Sequence, residues 1–178
     1  VNEDFGFGVL DASVLINNAK KWNVSVPSQL ICTLNVTAER GPQTIPAKFN
    51  INITKEKLNC QSELIHGLEH VQLRVDLDYP NRAVLSIDVQ SMSGTPSRFV
   101  YPRQHDASFH RRSYNNLVVT SVHFWGEPLL GNWTVDIKDR NKTQGTGTLI
   151  NMSFIFYGTA EVLSDNGKET KDKNNFDN

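Results

Sequence analysis

The spacing of apolar positions changes period once along this chain. Residues 11–22 follow helical spacing: Asp11 stands where an N-cap belongs, and Ala12, Leu15, Ile16, Ala19 and Trp22 recur on one face. Gly6 and Gly8 break the chain just before it. A helix of about three turns is marginal alone in water, so its apolar stripe needs a partner. From Val26 onward the period becomes 2, and strands are predicted at 30–37, 46–54, 68–79, 83–90, 97–101, 117–125, 132–138 and 148–157. The third is the clearest, with Val71, Leu73, Val75, Leu77 and Tyr79 alternating with Gln72, Arg74, Asp76 and Asp78. The stretches YPNRA and SMSGTPS supply turns. About eight short strands without intervening helices predict an all-β fold, an antiparallel jelly-roll-like sandwich or barrel. The chain divides into a helix and linker (1–25), the β domain (26–160) and a polar, aperiodic tail (161–178) read as flexible.

Composition narrows the function classes. The 178 residues carry a net charge of -1 with the signs interspersed, which offers no broad attraction to nucleic acid or anionic lipid. No apolar run approaches the roughly 20 residues of a membrane span, and no signal peptide is visible. The two cysteines, Cys32 and Cys60, lack CxxC-type partners for a four-ligand metal site. By themselves they fit either two buried thiols in a cytosolic protein or one disulfide in a secreted one. Sequons shift that balance. Six N-x-S/T triplets occur, at Asn23, Asn35, Asn52, Asn132, Asn141 and Asn151. Chance placement of this chain's Asn, Ser and Thr predicts roughly 2.5. Strand phase sets Asn35 opposite Cys32, Leu34 and Val36, and Asn52 opposite Phe49, Ile51 and Ile53. Asn132 likewise opposes Trp133, and Asn151 opposes Ile150, Met152 and Phe154. Polar residues on polar faces explain this phase blandly. A glycosylated secretory protein explains it as well, and makes Cys32–Cys60 the expected disulfide.

Three stretches then act together. FGFGVLDASVLINNAKKW resembles the final segment of the subtilisin-like catalytic domain in proprotein convertases, the furin and kexin relatives, where a Gly-Phe-Gly turn enters the last helix. HGLEHVQLRVDLDYPNRAVLSIDVQSMSGTPS is similar to the strand, hairpin and turn of the P domain that follows it. SVHFWGEPLLGNWTVDIKD and SFIFYGTAE resemble that domain's later strand pair and closing strand, in matching order across residues 5–161. The resemblance implies a P domain, an eight-stranded jelly-roll-like barrel packed beside a subtilisin-like catalytic domain and needed for its folding and stability. The helix would then belong to that absent α/β domain, with Ala12, Leu15, Ile16, Ala19 and Trp22 as its packing stripe. Subtilisin-type triads run Asp, His, Ser, and the resemblance places all three upstream of Val1, so this chain carries no catalytic residue. It also implies a calcium-dependent serine endoprotease acting on protein precursors after basic residues in the secretory pathway. Calcium is expected in the catalytic domain, with no cofactor and no metal on this chain. The sequence departs from the family at Asn81-Arg82-Ala83-Val84-Leu85, where relatives commonly carry Arg-Arg-Gly-Asp-Leu. Tyr114 and Leu117 replace a Phe and a Trp, and Phe124 takes a position that is Cys in some relatives.

Other chemistry is weaker. His105, Asp106, His110, His123 and Glu127 match no metal spacing, and His70 falls on the polar face of its strand. Arg111-Arg112 is a dibasic pair that reads as an exposed loop. The competing function is a free-standing carbohydrate-binding or adhesion module using Trp125 and Trp133, although Trp133 shares the inward row of Val135 and Ile137. An autonomous hydrolase is disfavoured by the lack of a G-x-S-x-G elbow.

Overall fold

The computed structural model describes residues 5, 6, 8–23, 27–38, 41–107, 112–142 and 145–160. Helix α1 covers Ala12–Lys21, and the Asp11 side chain accepts a hydrogen bond from the Val14 amide at 3.0 Å, closing its first turn. Lys20 and Lys21 complement the negative end of its dipole.

Ten strands follow among the described residues, two more than the pattern predicts. They are β1 (Leu30–Asn35), β2 (Gln43–Ile45), β3 (Ala47–Ile53), β4 (Asn59–Cys60), β5 (Gly67–Asp78), β6 (Leu85–Gln90), β7 (Pro96–Val100), β8 (Ser113–Ser121), β9 (Gly131–Asp139) and β10 (Gly147–Thr159). A short helix, α2, lies at Gln104–Ala107. One sheet has the order β4-β1-β10-β5-β8, with β2 also paired to β10, and the other runs β3-β9-β6-β7. All pairings are antiparallel. The result is an open two-sheet sandwich; the barrel alternative is not adopted.

Several boundaries move for identifiable reasons. Residues 83 and 84 leave the predicted strand for a 3-10 turn at Arg82–Val84, because the Asn81 carboxamide accepts from the Ala83 amide at 3.1 Å and caps it. The predicted strand 117–125 instead ends at Ser121, since Val122–Glu127 turns back on itself. It also starts earlier, at Ser113. A bulge there sets Asn115 and Asn116 against Asp76, with Asn116 at φ 50, a conformation Asn tolerates better than most residues. The Asp76 carboxylate accepts the Asn116 amide, so the irregular backbone donor is satisfied.

Inward rows of both sheets meet around Trp133, which is 0% exposed. Its ring packs against Phe124 at 5.0 Å and Phe156 at 5.7 Å, and Phe154 stacks on Phe156 at 5.3 Å. The indole N–H donates to the Leu129 carbonyl at 3.1 Å, which removes the cost of burying it unpaired. Phe124, 0% exposed, fills this cluster. Cys32 and Cys60 face each other across β1 and β4 and are joined as a disulfide.

Candidate functional site

The stretches that resemble the P domain, around Leu68, Thr95, Trp125 and Thr159, come together at one end of the sandwich. The Gly126 amide donates to the Leu68 carbonyl at 2.6 Å, and the Leu68 amide donates to the Glu127 carbonyl at 2.9 Å. The Trp125-Gly126-Glu127 turn is thereby clamped onto the start of β5. Thr95, in the β6–β7 turn, donates its hydroxyl to the Glu127 carboxylate. Closing strand β10 joins the same end, where the His66 amide donates to the Thr159 carbonyl at 2.9 Å. Two glycines are required there. A Cβ on Gly158 would collide with the Gly67 carbonyl, and one on Gly131, at φ 130, would run into Met92. The Thr95–Glu127 link joins two of these motifs across 32 residues of chain, a contact that neither motif shows alone in the sequence.

Apolar side chains are exposed at this end: Met92, Val122 and Trp125, the last at 37%. Trp133, the other member of the sugar-platform reading, is in the core. The two tryptophans therefore share no surface, and that platform is not assembled.

Helix α1 is the second exposed apolar element. None of its residues is buried; Leu15 and Ile16 are each 54% exposed and Trp22, at the C-cap, is 67% exposed. Ala12 and Ala19 are exposed too. The helical stripe thus exists as spaced, and no sandwich element covers it.

Of the tempting ionisable residues, Asp106, Glu127 and His70 go to structural contacts, while the buried His123 Nδ1 finds no hydrogen-bond partner among the described residues. Asp106 binds Arg82 at 3.1 Å, and the Arg82 guanidinium lies 4.6 Å from the centre of the Tyr114 ring and donates to the Ser113 carbonyl. Burial pushes the Tyr114 hydroxyl above its ordinary value, opposed by the nearby positive charges of Arg103 and Arg82. His70 stacks on Tyr157 at 4.2 Å, a packing role. On the outer face of the second sheet, Asp88 gathers Arg98 at 2.6 Å, Lys138 at 3.7 Å and Arg140, while Lys138 reaches Asp136 at 2.7 Å. These partly exposed pairs are a solvated network of modest worth. Among the described residues no three His, Cys, Asp or Glu gather around a point that could hold a metal. His110 and Arg111 lie outside the described residues, as does the tail from 161.

The sequon asparagines divide by environment. Asn23, Asn35, Asn52, Asn132 and Asn141 are exposed, whereas Asn151 is partly buried. Asn52 stands directly opposite Asn132 in the β3–β9 register. A cleft of about 400 Å³ opens between β1 and β3, with Leu34 and Ile51 beneath and Asn35, Asn52, Glu56 and Asn59 at its rim. The Thr54 hydroxyl, hydrogen-bonded to Glu56, holds that carboxyl below its ordinary value.

Fold and site together define an all-β sandwich with one motif-rich end and a helix whose stripe is exposed. The family model for the proprotein convertase P-domain matches residues 68–156. The chain belongs to that family. It is 32% identical over 166 residues to Furin-like protease 1 of Drosophila melanogaster, covering 93% of this chain and 12% of that protein. It is 36% identical over 169 residues to proprotein convertase subtilisin/kexin type 6 of Rattus norvegicus, covering 90% and 17%. The chain therefore spans under a fifth of either relative. Its fold also matches the crystal structure of a serine protease of Aeromonas sobria, with TM-score 0.60, 19% identity, and 85% of this chain against 30% of that one. No helix among the described residues is long and apolar enough to cross a membrane.

Proposed function

We propose that this chain is the non-catalytic P domain of a subtilisin-like serine endoprotease, and that it stabilises the catalytic domain and supports its folding. The parent enzyme cleaves protein precursors after basic residues within the secretory pathway, and depends on calcium held in its catalytic domain. The observation that carries the reading is the uncovered stripe of α1. Burying one large apolar side chain contributes about 1.5–3 kcal/mol, and Leu15, Ile16 and Trp22 have each realised less than half of theirs. A catalytic domain that seats this stripe gains that burial. The sandwich joined to the helix then fixes it in place. The disulfide between Cys32 and Cys60 suits the oxidising compartment this requires.

Deleting residues 26–160 from the full-length protease tests the role. Secreted, active enzyme should be lost, and co-expression of this chain should restore part of it. Normal yield and activity after the deletion would remove the stabiliser role. The chain alone should hydrolyse no dibasic peptide, with or without calcium.

A further inference from the structure

The sequons do more than mark a compartment, because the fold treats their asparagines differently. Asn151 is built into the sandwich: its Oδ1 accepts from the Thr37 hydroxyl at 2.8 Å, and its Nδ2 lies 3.5 Å from Asp76. The same buried Thr37 hydroxyl accepts from the Met152 amide at 3.1 Å. A sugar on Nδ2 of Asn151 would have to pass between Thr37 and Asp76. Asn35 is arranged the other way. Its Oδ1 accepts from the Ala38 amide at 3.0 Å, an oxygen that glycosylation leaves intact, and Asn35 itself is exposed. Asn52 is exposed on β3, which is the edge strand of its sheet, and Asn132 faces it from β9. Among the described residues β9 is the one strand paired with β3, and a cleanly alternating edge strand of seven residues is the kind of edge onto which another strand can add. Asn52 also overhangs the polar cleft between β3 and β1.

We propose that Asn52 carries an N-linked glycan whose stem sits over this cleft and shields the β3 edge, while Asn151 remains bare. The inference rests on the secretory reading above. The modification transfers an oligosaccharide from a lipid pyrophosphate donor. A bond forms between Asn52 Nδ2 and sugar C1 as the C1–O bond to the pyrophosphate breaks, and the amide proton leaves with the pyrophosphate. The exposed rim groups of Asn35, Glu56 and Asn59 offer hydrogen bonds to the first sugar, above the apolar floor of Leu34 and Ile51.

The test secretes the 178-residue chain from a eukaryotic cell, releases glycans with a peptide N-glycosidase in heavy-oxygen water, and maps each asparagine by mass spectrometry. Asn52 should be labelled in most molecules and Asn151 in essentially none. Asn52→Gln and Thr54→Val should each remove one glycan and raise self-association at least severalfold by light scattering, while Thr54→Ser, which keeps the sequon, should behave as the parent. Label at other sequons with Asn52 bare would overturn the inference and leave the secretory reading standing. Label at no sequon would overturn both. Folded protein labelled at Asn151 would contradict the bare site, and an unchanged association state in the two variants that lack the Asn52 glycan would contradict the shield.

Discussion

The sandwich and helix α1 obey the same rule of apolar patterning and meet opposite fates. In β9, Trp133, Val135 and Ile137 are each 0% exposed, and Trp133 packs across the sandwich against Phe154 and Phe156 of β10. In α1, Leu15 and Ile16 repeat just as regularly and no residue is buried. A pattern declares what a segment needs; only the topology says whether this chain supplies it. The sandwich buries its own apolar rows, while none of the described residues buries the stripe of the helix.

That contrast sets a scale for perturbations. Trp133→Ala should destabilise the isolated chain most, by about 3–5 kcal/mol in urea unfolding, since it opens a cavity among Phe124, Phe154 and Phe156. Replacing Cys32 and Cys60 by Ala, a bridge spanning 28 residues, should cost about 3.5 kcal/mol in the same assay. Tyr114→Phe should change stability by no more than about 1 kcal/mol, because the buried hydroxyl finds no hydrogen-bond partner among the described residues. Its raised folded value gives the sign of a pH effect. The neutral ring contributes stability in full below its ordinary value of 10.0, and that stability is lost as pH rises through and above it. Alkaline unfolding curves should therefore flatten in Tyr114→Phe. Leu15→Gln with Ile16→Gln should move the isolated chain least, by less than about 0.5 kcal/mol, because the side chains already face solvent. In the full-length protease the same pair should sharply reduce the yield of folded enzyme. A large loss in the isolated chain would erase the contrast.

Long, strictly alternating segments were legible from sequence: β5 and the inner rows of β9 and β10 lie where the pattern puts them. Elements of two or three residues were not. β2 and β4 are too short to show a period, and β4 exists because Asn59–Cys60 pairs back onto β1. The run Val122–Trp125 imitates a strand in composition, yet Gly126, at φ 76, and the clamp to Leu68 make it a turn. The convergence of motifs at one end depends on which strands become neighbours, and single-strand periodicity carries no such information. The spacing of Ala12, Leu15, Ile16 and Ala19 makes helix α1 legible, whereas what covers their face is not written in the segment itself.

Hydrogen exchange of α1 tests the central claim most directly. In the isolated chain, amides of residues 15–21 should exchange near the rate of unstructured peptide while the core strands β5, β9 and β10 stay protected, because a ten-residue helix without tertiary burial is marginal. In the full-length protease the same helical amides should slow by at least about 100-fold, a shift of roughly 2.7 kcal/mol. Equal protection of α1 in both proteins would show that the helix needs no partner, and the account of this chain as an intramolecular stabiliser would fail.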